Sequence, residues 1–309
     1  MTKPKLDCVA AEGERVVDIG DLDQNRNLKI RTFLGLVLAP VFRELQPRLR
    51  YSQMGRRGIT PMQYYQDFRN VPAPHGYGDT FRGHYEIRLC RSNSSERRGD
   101  AVGPRTIERL ILETRVTLAG YPAIGAPPAL GFAPVLGAPA TAGSGRVLHV
   151  LTRPKDPPGR RWVSEIPEEL QELVVHPSSE PYPTIPLLRE IDGGFAECEG
   201  AARILSGVWS IANTDVFQHV HAREYTMAME NGIGIALATA RLPLERYVPT
   251  RARVIFRRPA FIGQTYQLGI RLFHRDGEVI ALGAFCSGDA TPGEVDHASV
   301  FMRCEGRID

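Results

Sequence analysis

Apolar and polar positions change period several times along this chain, and the changes come twice in the same order. Leu28, Phe33, Leu34, Val37, Leu38, Val41, Phe42 and Leu45 recur at helical spacing, which predicts a helix over 28–45 burying one face. Pro40 should kink or end it, since proline removes a hydrogen bond and clashes with the preceding turn. Extended segments are predicted at 59–68, 80–91 and 106–119, the last two separated by the polar loop 92–100. In the second half the pattern predicts a strand at 206–212 and a helix at 222–240, loosened near Asn231-Gly-Ile-Gly234. Four more strands follow at 250–257, 265–274, 278–287 and 298–304. Asp276-Gly277 is a two-residue hairpin signal, because both central turn positions need positive φ. One long helix beside an antiparallel sheet of this size is an α+β arrangement.

The repetition extends to the polar punctuation. Asp21-Leu-Asp-Gln-Asn-Arg-Asn27 and Asn213-Thr-Asp-Val-Phe-Gln-His219 each end a strand-like segment and lead into a helix-periodic run. Downstream, Val71-Pro-Ala-Pro-His-Gly-Tyr-Gly-Asp79 and Arg258-Pro-Ala-Phe-Ile-Gly-Gln264 each precede a long strand. A self-similarity this long, present only twice, predicts two fused copies of one domain and not a solenoid. The predicted division is 1–120, a connection at 121–195 and a second unit at 196–309. The connection is rich in Ala, Pro and Gly up to residue 145, with a strand expected at 146–152, a short helix at 165–173 and an extended Pro-rich run at 176–186.

Composition narrows the function classes. A chain of 309 residues holds two ordinary domains, and a net charge of +3 gives no argument for nucleic acid. No apolar run is long enough to span a bilayer and the N-terminus lacks the apolar segment of a signal peptide, so a cytoplasmic protein without a membrane partner is expected. The five cysteines are odd in number and widely spaced, which predicts reduced thiols. No metal-ligand spacing, dinucleotide fingerprint or phosphate loop occurs, so neither a metal nor a cofactor is expected.

Asp215-Val-Phe-Gln-His-Val-His-Ala-Arg-Glu-Tyr225 resembles the Asp-x-Asn-x-His-Val-x-x-x-x-Tyr signature of hotdog-fold acyl thioesterases, particularly the double-hotdog acyl-carrier-protein enzymes. Gly20-Asp-Leu-Asp-Gln-Asn25 is similar to the opening motif of hydroxybenzoyl-thioester hydrolases of the same superfamily. The resemblance implies a double hotdog, two tandem antiparallel sheets each wrapped on a long helix, and an acyl thioester of coenzyme A or of an acyl carrier protein as substrate. Hydrolysis is the first expected reaction. Dehydration, cyclisation or decarboxylating acyl transfer on a carrier-bound chain, as in polyketide or other secondary metabolism, and a non-catalytic acyl-binding role stand as alternatives. A homodimer is left open. The motif is incomplete in both copies, with Phe217 in place of Asn in the second and Asn27 in place of His in the first.

Thioester hydrolysis needs a donor for the carbonyl oxygen and a base or nucleophile. Asp215 and His219 are the expected pair, beside the free N–H groups of the following helix. The plain reading of Asp215 is a helix cap. Asp23 and Asn25 offer the same arrangement in the first copy, either completing a composite site or serving as structural relics. Tyr64 and Tyr65 are adjacent on a predicted strand and so should face opposite sides, one in the core and one available to a pocket, where it could hold a carbonyl or an acyl group. Arg251, Arg253 and Arg257 share a face of their strand, either as a site for coenzyme A phosphates or an acidic carrier, or as the charged guard of an edge strand.

Overall fold

The computed structural model describes residues 5–23, 26–32, 46–73, 75–76, 78–96, 105–124, 135–157, 160–178, 182–200, 203–214, 219–287 and 298–308. Its strands are β1 (Val9–Val16), β2 (Thr60–Asn70), β3 (Thr80–Glu96), β4 (Arg105–Tyr121), β5 (Ala123–Ile124), β6 (Val135–Leu136) and β7 (Ala140–Thr152). There follow β8 (Val175–Pro177), β9 (Ala196–Glu197), β10 (Arg203–Val208), β11 (Tyr247–Phe256), β12 (Thr265–Arg275), β13 (Glu278–Ser287) and β14 (Val300–Ile308). All but β5 and β6, which pair with each other, join one sheet, whose main path runs β1-β3-β4-β7-β2-β11-β14-β13-β12-β10.

That order reads the same from both ends once β1 is equated with β10, β3 with β12, β4 with β13, β7 with β14 and β2 with β11. The registers agree as well: Val16 pairs with Thr80, and Val208 with Thr265. Two five-stranded halves are therefore joined through β2 and β11, which pair antiparallel from Tyr65–Ile255 to Arg69–Arg251.

The helix Ala222–Thr239 packs across β10 and β12. Tyr225, Met229, Ile233, Ala236 and Leu237 form its buried stripe at three- and four-residue spacing. It runs unbroken through Asn231-Gly-Ile-Gly234, where loosening was expected. A Cβ on Gly232 would lie 2.0 Å from the Ile270 Cδ1, so this glycine serves the close approach of helix to sheet. In the first repeat the chain turns helical at 30–32, and the predicted helix beyond Thr32 lies outside the described residues. Asp276 (φ 47°) and Gly277 (φ 84°) make the expected hairpin turn.

Two expectations change. The stretch 121–195 is more than a connection, because β7 supplies the fifth strand of the first half and pairs with both β4 and β2. And β11 is not an edge strand: it pairs with β2 on one side and β14 on the other, so its arginines guard no edge. The rest of the connection is divided: Val163, Leu170 and Leu173 pack into the inner core of the first half, while Ile185 and Leu188 cover the sheet face opposite the long helix, joining Tyr65, Ile111, Ile255 and Phe301 in a third core cluster.

Candidate functional site

The duplicated segments fold into the same polar scaffold, with equivalent positions 192 residues apart. The single 3-10 turns Ile19–Asp21 and Ile211–Asn213 correspond. In each a side-chain oxygen accepts the N–H three residues earlier, Asp18 N to Asp21 Oδ2 (3.1 Å) and Ser210 N to Asn213 Oδ1 (2.9 Å). In each the carbonyl of that residue accepts an N–H from the helix approach, from Lys29 (3.0 Å) and His221 (2.9 Å). In the second repeat the strand predicted at 206–212 ends at Val208, before this turn. The downstream turns match with an offset of 185: Asp79 Oδ2 accepts from Gly76 N (2.6 Å), and Gln264 Oε1 accepts from Phe261 N (2.9 Å).

The charge differs between the two scaffolds. Asp21 is buried, pairs with Arg15 at 2.7 Å, and has its main-chain carbonyl bonded by the Thr32 hydroxyl at 3.1 Å. At the equivalent places Asn213 donates through Nδ2 to the buried Glu224 at 2.9 Å. The carboxylate has moved from the turn to the helix, and both arrangements brace the turn.

Of the expected catalytic residues, Asp215 and Asn25 lie outside the described residues. Asp23 is half-buried, and its Oδ1 accepts the Asn27 N–H at 2.9 Å, a local turn bond. His219 is half-buried, bridges to Phe261 in strand fashion and stands edge-on to its ring at 5.0 Å. Tyr64 and Tyr65 share one side of the sheet, because a bulge between Gln63 and Tyr65 in the pairing with β7 breaks the alternation. The Tyr64 hydroxyl donates to the Pro183 carbonyl at 2.9 Å and its ring stacks on Tyr182, while Tyr65 is buried, which pushes its hydroxyl pKa up. Arg251 forks onto Asp67 at 2.8 and 2.6 Å, Arg253 is paired with Glu305, and the Arg257 main chain donates to Ser299. Among the described residues no group of His, Cys, Asp or Glu could hold a metal ion.

A residue absent from those expectations completes a different constellation. Glu230, on the long helix of the second repeat, accepts the Ile30 N–H at 2.7 Å and the Arg31 N–H at 3.4 Å, both at the helical start of the first repeat. Burial raises the Glu230 pKa above the ordinary carboxylate value, and these two N–H groups oppose the rise only in part. The Arg31 guanidinium and the Lys29 ammonium also favour its charged form, and the Tyr247 hydroxyl and the Cys304 thiol are near enough to feel its charge. Ile30 also lines a small open cleft at the seam, with Leu28, Phe68 and Asn70 from the first repeat and Pro249, Arg251 and Ala252 from the second. By the 192 offset the position equivalent to Glu230 is Leu38, so this carboxylate occurs in one repeat only. One sequence signal pointed to it: Glu230 is the sole charged residue between Tyr225 and Ala240. Its partner lies 200 residues away, which no spacing reveals.

No family model matches the chain, and no curated protein does. Solved structures do. An oleoyl thioesterase of Lactobacillus plantarum superposes with a TM-score of 0.64 at 11% identity, over 97% of this chain and 96% of that one. An acyl-ACP thioesterase of Bacteroides thetaiotaomicron gives 0.59 at 10% identity, over 97% and 98%. The 12:0-ACP thioesterase of Umbellularia californica gives 0.59 at 12% identity, also over 97% and 98%. The chain therefore shares, over nearly its whole length, the hotdog-type fold of these proteins.

Proposed function

We propose that this chain hydrolyses an acyl thioester, of coenzyme A or of an acyl carrier protein, at the seam between two hotdog units. The observation that carries the reading is the Glu230 carboxylate bonded to the first N–H groups of the other repeat's helical segment, beside the seam cleft. The fold shared with the acyl-ACP and oleoyl thioesterases supports it.

The chemistry follows from that pairing. N–H groups at a helix start lack internal partners and attract negative charge, so a thioester carbonyl oxygen entering the cleft competes with Glu230 for the Ile30 N–H. The displaced carboxylate, little hydrated and with a raised pKa, is a stronger base than an exposed one. It takes a proton from water as the water oxygen bonds to the carbonyl carbon. The oxyanion that forms is held by the helix-start N–H groups. Its collapse breaks the C–S bond, and the departing sulfur takes the proton back from Glu230 as thiol.

The test is free-thiol release from a panel of acyl-CoA and acyl-carrier thioesters, with intact masses followed in parallel. Glu230→Gln should lower turnover by about 10²- to 10⁴-fold, the range general-base removal gives. Asp215→Asn and His219→Ala are made alongside. Full activity in Glu230→Gln with loss in Asp215→Asn would transfer the base to the second-repeat turn. No thiol release from any thioester would end the hydrolytic reading.

A further inference from the structure

Next to two cleft-lining residues in the sheet lies a buried amide with no hydrogen-bond partner among the described residues. Phe68 and Ala252 are paired across the β2–β11 seam and both line the cleft. Two residues further along β2, on the same side of the sheet and about 7 Å inward, comes Gln66, paired with Val254. Gln66 is 0% exposed, and neither its Oε1 nor its Nε2 has a hydrogen-bond partner among the described residues. It belongs to a rung that crosses the strands as Thr114, Val147, Gln66, Val254 and Met302. Val147, Val254 and Met302 lie in the two inner apolar cores, so the amide points into hydrocarbon. Thr114, two strands away on the same rung, is 1% exposed and its hydroxyl is also unpartnered.

An unsatisfied buried amide destabilises the core it sits in, and a leucine of similar size would avoid that cost. Two such groups on one rung, the first of them adjacent to cleft-lining residues, suit a polar ligand group. We propose that Gln66 is a specificity residue that reads a hydroxyl group on the acyl chain of the substrate, with Thr114 as a second polar contact further along the rung. A hydroxyl suits Gln66 because it can donate to Oε1 and accept from Nε2 at once. A position beside the cleft suits the acyl portion when the thioester carbonyl binds the Ile30 N–H, as in the hydrolytic reading. The inference rests on the hydrolytic reading for the orientation of the ligand, but its test does not need turnover.

The experiment measures binding of free acids to the full chain by calorimetry: straight-chain saturated fatty acids of several lengths, and the monohydroxy isomers of each. The expected result is that one hydroxy isomer binds wild type at least about tenfold more tightly than its parent acid, and that Gln66→Leu abolishes this advantage while binding the parent acid as well or better. Gln66→Met, which keeps the volume, covers the case in which leucine packs badly. The unliganded Tm should rise in either variant, because an unpaired amide has left the core. A preference unchanged by both variants, a wild type that favours every parent acid, or no binding of any acid would overturn the proposal. A hydroxyl preference that depends on Gln66 in a protein releasing no thiol would leave this inference standing and remove the hydrolytic one.

Discussion

Glu230 shows how one residue couples stability to chemistry. Burial raises its pKa, so the folded chain binds its proton more tightly than the unfolded chain does. The resulting stability is full below the ordinary carboxylate pKa and is lost as pH rises through the raised value. Glu230→Gln, which is never charged and keeps an acceptor for the Ile30 N–H, should therefore raise Tm at neutral pH and change it little near pH 4, where wild type is itself largely protonated. Thermal unfolding of both proteins across that range checks this; a lower Tm for the variant at neutral pH would contradict it. With Glu230 as the proposed base, wild-type kcat/KM should fall towards low pH with a limb centred above the ordinary glutamate pKa, since only the ionised carboxylate could accept the proton. A sequence reader could notice this lone charge in an apolar helix. Its function as a partner for Ile30 and Arg31 depends on a contact between repeats, and Asp23, with the more recognisable motif, ends in a local turn bond.

At the scale of elements, the periodic signals were legible wherever one segment decides its own geometry. The helix predicted at 222–240 is observed at Ala222–Thr239, the strand predicted at 278–287 is Glu278–Ser287, and Asp276-Gly277 turns as its residue types require. Elements were misread where a neighbour decides. Gly232 reads as a helix breaker because glycine disfavours helices by about 1 kcal/mol relative to alanine. In place it allows Ile270 to sit against the helix backbone, with Leu205 Cδ1 only 3.1 Å from where a Cβ would be. Gly232→Ala should thus lower stability in spite of its better propensity, by about 1 kcal/mol net, as overpacking of about 1–3 kcal/mol outweighs the gain. Equilibrium denaturation would measure it, and a stabilised variant would show that the Ile270 side chain moves aside freely. The Tyr64 and Tyr65 pair was misjudged for a similar reason, since strand alternation holds only where no extra residue interrupts the pairing.

In the whole molecule the two repeats are held as one sheet by β2 and β11, and the seam carries its own ion pair. Arg251 and Asp67 meet in a fork, with 24% and 12% of their side chains exposed, one from each repeat. Removing the acceptor leaves a largely buried guanidinium unpaired, so Asp67→Ala should cost about 1–3 kcal/mol. The double variant Asp67→Ala/Arg251→Ala should recover part of that loss. A double-mutant cycle by urea unfolding checks both, and a coupling near zero would mean that the seam is held by its backbone ladder and apolar contacts alone. Duplication, the α+β class and most strand positions were present in the order of residue types, because hydrophobic period, turn residues and helix starts act over a few neighbours along the chain. Which strands lie inside the sheet, which arginines are already paired, and that Glu230 meets the helical start of the other repeat were decided only by tertiary structure. Those contacts join residues up to 200 positions apart, and their energies arise from burial and pairing between surfaces that exist only once both repeats have folded together.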